Sequence, residues 1–352
     1  MTFLRIFIGV AGAVVALATV GSAVRTVVVP RGEQVAIVRV VFGSFRWLFH
    51  RGSEASKARF APIALISLPL VWSLGVAMGC SATFWALGVE PYRDALVLSG
   101  SSLTTLGFRT TTDLPTLILS ILAALVGLGI VALLISFLPT IYGAFSRRET
   151  AVAKLHLRAT DQSGVASPAT LLIRSQRIEG LDQIVEMWAE WEDWFVEVEE
   201  THTSFPMLVF FRSPVPQRSW IVSAGLVLDS AALFSSTLDV PRAPRANLMI
   251  RSGTLALRQI ADFFGFEHPN DPQPGDPISI GREEFDEVYD QLVTADVSVK
   301  ADRDQAWRDF AGWRVNYDKV LLTLATFVDA PEAVWVSDRP VPYRRPRIIR
   351  RR

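Results

Sequence analysis

The stretch that decides the fold of this chain reads EPYRDALVLSGSSLTTLGFRTTTD and occupies residues 90–113. It lies between two uncharged runs, residues 61–89 and 114–146. Because about 20 apolar residues cross the hydrocarbon core of a bilayer, each run is long enough to span a membrane. Pro91 favours a helix start, and the residues after it have the length of about three helical turns before a Thr/Gly segment begins. The sequence therefore predicts a span, a short helix, a non-helical loop and a second span.

Such a loop has a specific use in a membrane. A short helix whose partially negative C-terminal end points toward exposed backbone carbonyls stabilises a dehydrated cation at membrane depth. Non-helical backbone is tolerated at that depth only where it is buried in protein or lines a water-filled cavity. The pattern indicates a re-entrant loop that handles a cation.

The order of span, pore helix, Thr105-Leu106-Gly107-Phe108 and span resembles the two-helix pore module of the potassium channel family, whose filter reads Thr-Val-Gly-Tyr-Gly. The resemblance covers about 85 residues, 61–146, and departs from the family at Arg109, which stands where the second glycine belongs. It implies a selectivity filter at Thr105, Leu106, Gly107, Phe108 and Arg109, a monovalent cation such as potassium as the partner, and a homotetramer in a bacterial inner membrane.

The same resemblance suggests a gate. The family carries a hinge glycine about six turns beyond the first filter glycine, and Gly129 follows Gly107 by 22 residues here. Gly129 and Pro139 are therefore predicted bending points, since both residue types weaken helical hydrogen bonding. The alternative is that small residues only permit close helix packing, and this is the preferred interpretation for Gly127.

Arg109 is expected to weaken potassium selectivity or to close the outer mouth. If this position needs the backbone conformations of glycine, a residue with a Cβ adopts them at a cost of about 1 to 2 kcal/mol. Its guanidinium groups would also repel cations unless each pairs with an acid such as Asp113 or Glu90.

A third apolar run, residues 6–24, is either an anchor or a cleaved signal peptide. The loop after it, residues 25–60, holds seven basic residues against two acidic ones, which marks it as cytoplasmic and favours an anchor. We therefore assign residues 1–29 to an N-terminal anchor and 30–60 to a basic segment. Within it, residues 35–49 are predicted to form a helix at the headgroup layer, with a buried strand or a short loop helix as alternatives. Residues 90–113 are then outside and 147–352 inside.

The overall net charge of zero conceals a division of the chain into three regions. Residues 1–148 carry +7, residues 149–338 carry −14 and residues 339–352 carry +7, so a single globular domain is excluded. The one cysteine, Cys80, excludes an internal disulfide and a Cys-based zinc site. The four histidines lack metal-ligand spacing, and no catalytic motif is present. We expect neither enzyme activity nor a cofactor, and no metal beyond the permeant ion.

The acidic region 147–338 is predicted to be a helical cytoplasmic domain with no further run long enough to span. Helices are expected at 220–238, 246–266, 282–293 and 302–327. His202 is expected to end a helix without a chemical role. The clearest helix carries a seam that either faces the core of a bundle, the favoured interpretation, or self-associates. The seam consists of Leu181, Ile184, Trp188, Trp191, Phe195 and Val198.

The tail 339–352 contains seven arginines and no acid. Behind a membrane anchor, the nearest polyanion is the inner leaflet, which attracts a basic residue with about 1 kcal/mol. Docking on the acidic domain and plain disorder are the alternatives, and nucleic acid is not an expected partner. The sequence thus predicts an all-α membrane protein with an anchor helix, a pore module at 61–146 and a helical domain. A cation channel is the favoured function, and a non-conducting membrane-tethered scaffold or signalling protein is the alternative.

Overall fold

The computed structural model describes residues 2–28, 36–49, 52, 54–215 and 217–339. Helices make up 73% of the structure, which confirms the predicted all-α class. The chain divides into two compact units, residues 1–143 and 144–352. The predicted division between the pore module and the following domain, at residue 146, lies three residues from this boundary.

The helices that begin in the N-terminal unit follow the predicted order. The segment for which a strand was an alternative is helical from residue 36 to 49, whereas residues 29–35, 50, 51 and 53 of the basic segment lie outside the described residues. Three helices contain the predicted spans, and each is apolar enough to cross a membrane. The helices are α1 (Thr2–Val28), α2 (Ala36–Phe49), α3 (Glu54–Ala86), α4 (Tyr92–Leu103) and α5 (Leu114–Ala159).

Small residues let α1 pack closely and antiparallel against α3. A Cβ at Gly12 of α1 would overlap the carbonyl oxygen of Gly79 in α3. Near the start of α1, Arg5 forms an ion pair with Glu90, which follows the end of α3. Close backbone approach at small residues is a common way for membrane helices to associate. The assignment of residues 1–29 to an anchor rather than to a signal peptide stays a prediction.

Helix α5 is longer than the span predicted within it. It runs without interruption through 46 residues, although Pro139 lies inside it. At about 1.5 Å per residue this is about 69 Å, more than twice the hydrocarbon thickness of about 30 Å. The helix therefore continues well past the end of the uncharged run at residue 146 and enters the C-terminal unit.

The C-terminal unit is a helical bundle whose later helices agree with three of the four predicted ranges. The fourth, 302–327, is wrong as a single helix because a turn at 315–317 divides it. One short helix, which Ser167 caps by accepting from the Thr170 N–H, was not predicted. The helices are α6 (Pro168–Arg177), α7 (Ile184–Ser204), a 3₁₀ helix (Pro206–Phe210), α8 (Trp220–Thr237), α9 (Pro244–Phe263), α10 (Arg282–Thr294), α11 (Arg303–Arg314) and α12 (Asp318–Phe327).

Helix α8 is the centre of this bundle. Its 18 residues are long and apolar enough to cross a membrane, so the prediction that the acidic region holds no such run is wrong. Of its residues 94% are buried, and the helix packs against α6, α9 and α11. A helix that is apolar all round needs an apolar environment on every side, which the surrounding helices supply.

The seam of α7 faces the core. Its members from residue 184 onward are at most 4% exposed, and Leu181 is partly buried just before the helix begins. Gly253 of α9 lies so close that a Cβ there would be 2.8 Å from the Phe195 ring. The core-facing interpretation is therefore confirmed, because the apolar face is covered by this chain's own α9.

A buried ionic network connects α8, α11, α12 and the segment after α12. Arg314 is fully buried and donates to both carboxylate oxygens of Asp229 at 2.6 and 2.5 Å, to Asp318 at 2.7 Å and to the Trp335 carbonyl at 2.7 Å. The Tyr317 hydroxyl donates to Asp229 at 2.8 Å. Burial alone would lower the pKa of Arg314, but the charges of Asp229 and Asp318 raise it above its usual value. The turn between α11 and α12 allows Arg314 and Tyr317 to reach the same carboxylate.

The basic tail begins one residue later than predicted. Arg339 belongs to the folded domain, where it pairs with Glu284 and Asp338 and donates to the Ser279 carbonyl at 2.7 Å. Hydrogen bonding to Arg339 lowers the pKa of Glu284. Residues 340–352, the remainder of the predicted tail, lie outside the described residues.

Candidate functional site

The candidate site is the loop between α4 and α5, and α4 positions it. Helix α4 is fixed to α3 by two side-chain contacts. Ser99 donates to the Ala77 carbonyl at 2.8 Å, and the hydroxyls of Tyr92 and Ser81 lie 2.9 Å apart. The C-terminal end of α4, with its partially negative carbonyls, therefore leads into the loop from a fixed direction.

Ser101 folds the predicted filter back onto the last turn of α4. Its carbonyl accepts the N–H groups of Leu106 and Gly107 at 3.0 and 3.4 Å. Its hydroxyl oxygen accepts the Arg109 N–H at 3.0 Å and donates to the Arg109 carbonyl at 3.2 Å. The Thr105 N–H donates to the neighbouring Ser102 carbonyl at 3.0 Å, so two successive serines at the end of α4 hold the loop.

The left-handed backbone of the loop is at Thr105 and Gly107, with φ of 57° and 70°. Arg109 is not among the described residues with positive φ. The expected glycine-like strain at Arg109 is therefore wrong for this loop, since the backbone of Arg109 is relaxed and bonded to Ser101. The strain falls instead on Thr105, where a left-handed conformation costs about 1 to 2 kcal/mol.

The carbonyls of Thr105, Leu106, Gly107 and Phe108 accept no hydrogen bond from any described part of the chain. Two residues of this row are apolar and largely exposed, Leu106 at 69% and Phe108 at 67%. Backbone carbonyls need a donor, water or a cation. A row of carbonyls can replace part of the hydration shell of a cation. One loop supplies them from one side only.

The Arg109 side chain has a partner that the sequence analysis missed. Its guanidinium donates to Asp94 at 2.7 Å, and the two side chains are 49% and 32% exposed. The expected partners do not include this residue, and Glu90 pairs with Arg5 instead. Asp94 and Ser101 are seven residues apart on α4, so helical periodicity places them on one face. That spacing was the signal in the sequence for both contacts.

The predicted hinge residues lie on α5, apart from the loop. A Cβ at Gly129 would meet nothing within 4 Å, and Pro139 leaves the helix unbroken. Their role as bending points stays a prediction. Gly127 behaves as the packing interpretation expects, because a Cβ there would overlap the Leu103 carbonyl oxygen at the end of α4.

The described residues contain no group of three or more His, Cys, Asp or Glu side chains that could hold a metal ion. Comparison of the chain with protein-family models, with curated proteins and with solved structures finds no match. The interpretation of the loop therefore depends on its own residues and geometry.

Proposed function

We propose that this chain is one subunit of a homotetrameric cation channel of the potassium-channel type in the inner membrane of a bacterium. The observation that carries the proposal is a row of four successive carbonyls, Thr105 to Phe108, which have no hydrogen-bond donor among the described residues. The row follows a short helix and lies between two apolar helices. Four copies around one axis would turn this row into rings of carbonyl oxygens that surround an ion.

The apolar surface of one copy is consistent with this assembly. In the most apolar stretch of α5, only 17% of the residues are buried within the single chain. The other residues of this stretch are available to lipid and to other copies. Leu106 and Phe108 are apolar and exposed next to the carbonyl row. Neighbouring copies would cover these side chains, as the hydrophobic effect requires.

In this proposal Arg109 shapes the outer mouth. Its carbonyl accepts the Ser101 hydroxyl, so it is not free to form an outermost ion site. Its side chain turns toward Asp94, but an exposed ion pair of this kind contributes only about 0.2 to 1 kcal/mol. The filter would therefore have fewer carbonyl sites than the family pattern, with a partly neutralised basic ring outside it.

The orientation proposed for the C-terminal domain and the tail follows from the charge pattern. A cytoplasmic position of the C-terminal domain is supported by the basic loop at 25–60 and by Arg147 and Arg148 after the last span. The Arg-rich residues beyond Arg339 would bind the anionic inner leaflet. The helical domain would then regulate the pore from the cytoplasmic side.

Potassium flux into liposomes that contain the purified full-length protein tests the proposal. Gly107→Ala places a Cβ on a left-handed residue inside the carbonyl row, where it costs about 1 to 2 kcal/mol. Gly88→Ala is the matched control, because Gly88 also has positive φ and open surroundings but lies before α4. We expect the wild type and Gly88→Ala to select potassium over sodium equally well, and Gly107→Ala to lose selectivity or flux.

Absence of flux in the wild type at every voltage and pH, or a protein that cross-links no further than dimers, would favour the alternative of a non-conducting scaffold. Equal behaviour of the two glycine variants in a conducting protein would place the filter elsewhere.

A further inference from the structure

The long helix α5 carries a charged residue into the interior of the C-terminal unit. Arg148 follows the end of the uncharged run by two residues and is only 3% exposed. Arg147 beside it is 62% exposed at its side chain and pairs with Glu197 on the surface. The two adjacent arginines therefore have different roles, and a burial cost attaches to Arg148 alone.

All five N–H groups of the Arg148 guanidinium have acceptors. Nη1 contacts the Leu208 carbonyl at 2.9 Å and Nε2 of His202 at 3.0 Å. Nη2 donates to the Phe211 carbonyl at 2.6 Å and to Glu149 at 2.9 Å, and Nε donates to Glu149 at 3.1 Å. An arginine has five N–H donors in a fixed planar arrangement, so this site uses its full capacity.

The surroundings suit a cation that is held in place. Leu208 and Phe211 belong to the C-terminal end of the 3₁₀ helix, where carbonyls carry partial negative charge. The ring of Trp220, at the start of α8, lies 6.0 Å from the guanidinium carbon. The Trp194 indole of α7 donates to the Arg148 carbonyl at 3.3 Å. Arg148 thus connects α5 to α7, to the 3₁₀ helix and to α8 at once.

His202 contributes to this site as a neutral acceptor. Its Nε2 faces a guanidinium N–H and must therefore carry the lone pair, which leaves the proton on Nδ1 beside the Thr201 hydroxyl at 3.2 Å. Burial and the charge of Arg148 hold the pKa of His202 well below its ordinary value. The histidine therefore stays neutral near pH 7, as the contact requires.

From this geometry we propose that Arg148 is the positioning residue through which the C-terminal domain controls α5. A rearrangement around α7 and the 3₁₀ helix would move the end of α5 and so alter the pore. The inference rests on the proposed channel function. It requires a helix that is continuous from the span to Arg148, and α5 meets this requirement because it runs without interruption from Leu114 to Ala159. A shift at the buried guanidinium is transmitted along this helix.

The test compares Arg148→Gln with Arg147→Gln in full-length protein. Each variant removes one positive charge from neighbouring positions of α5. Potassium flux in liposomes and hydrogen–deuterium exchange of residues 133–143, 144–159 and 205–211 are measured for both. Arg148→Gln is expected to change flux by about fivefold or more in either direction, and to speed exchange in all three segments. Arg147→Gln is expected to match the wild type.

Arg148→Lys is the second variant, in case Arg148→Gln fails to fold. Lysine keeps the charge but has only three donors, so flux and exchange are expected between those of the wild type and Arg148→Gln. The proposal would be overturned if both Arg148 variants had the same flux, and the same exchange at 133–143, as Arg147→Gln. Arg148 would then stabilise its own surroundings only. If no variant and not even the wild type conducts, the channel function fails separately, and exchange at 133–143 still decides whether Arg148 restrains α5.

Discussion

Replacement of Arg314 by methionine should strongly destabilise the C-terminal unit. Among the described residues, the substitution removes the only cation that pairs with Asp229, which is fully buried. Within the described part of the chain, the carboxylate of Asp229 would keep one hydrogen bond, from the Tyr317 hydroxyl. Asp318 would lose less, because the Ser279 N–H and hydroxyl still donate to it at 2.9 and 2.6 Å. The cost is therefore concentrated on one uncompensated carboxylate.

The magnitude follows from this burial. Removal of one member of a buried ion pair typically costs about 3 to 5 kcal/mol, because the remaining charge stays in a poorly solvating interior. The net stability of a domain is about 5 to 15 kcal/mol. Arg314→Met should therefore remove between a fifth and all of the free energy of unfolding. Arg308→Met is the matched control, since Arg308 lies on the same helix α11 and is exposed.

Urea unfolding of the full-length protein in detergent, followed by tryptophan fluorescence, measures the effect. Seven of the ten tryptophans lie in the C-terminal unit, so the signal mainly reports that unit. The double variant Arg314→Met with Asp229→Leu should recover about 2 kcal/mol or more, because it removes the orphaned charge along with its partner.

A free energy of unfolding for Arg314→Met within about 1 kcal/mol of that for Arg308→Met would refute the reasoning, since it lies well below the expected cost of an unpaired buried charge. A double variant as unstable as the single one would also contradict it, because the loss would then come from packing rather than from Asp229.

Two further predictions concern the loop and the Arg148 site. Arg109→Gln should raise cation current in liposomes at low salt, and the gain should be smaller at high salt because salt screens the charge, with a Debye length of about 10 Å at 0.1 M. The control Arg93→Gln, on the exposed side of α4, should change the current less. Equal gains in both variants would show that Arg109 does not lie at the outer mouth. Because the pKa of folded His202 is depressed, its contribution to stability is complete above about pH 6.5 and is lost as the pH falls toward the folded value. His202→Gln should therefore flatten the decline in unfolding free energy between pH 7 and 5 by up to about 1.4 kcal/mol per pH unit, and an unchanged slope would show that His202 is not the titrating group.

The sequence predicted the long apolar helices α1, α3 and α5 well because their signal is local. A long uncharged run has no other inexpensive environment than lipid or a protein core, so length and composition alone place α1, α3 and α5. Composition cannot choose between these two environments, and the uncharged run that would have marked α8 is interrupted by Asp229. Helix α8 has that length, and only its neighbours in space show that it is a core helix.

In the candidate site, too, some features were visible in the sequence and others only in the structure. Thr105 to Arg109 stand next to one another in the chain, so their spacing was visible as a motif. The contacts of Arg109 with Asp94 and Ser101 join residues 15 and 8 positions apart, and they depend on how the loop turns back on α4. The sequence offered Glu90 and Asp113 as partners with equal justification.

What the sequence determined by itself was the helical class, the apolar spans, the filter-like motif and the distribution of charge, since each depends on composition or on short periodic spacing. Only the tertiary structure decided which arginines are buried. Arg147 and Arg148 are the same residue type at adjacent positions, but a helix turns about 100° per residue, so one side chain points to solvent and the other into the domain. The buried guanidiniums of Arg148 and Arg314 are stable there because acceptors distant in sequence surround them, His202, Leu208 and Phe211 for the first and Asp229 for the second.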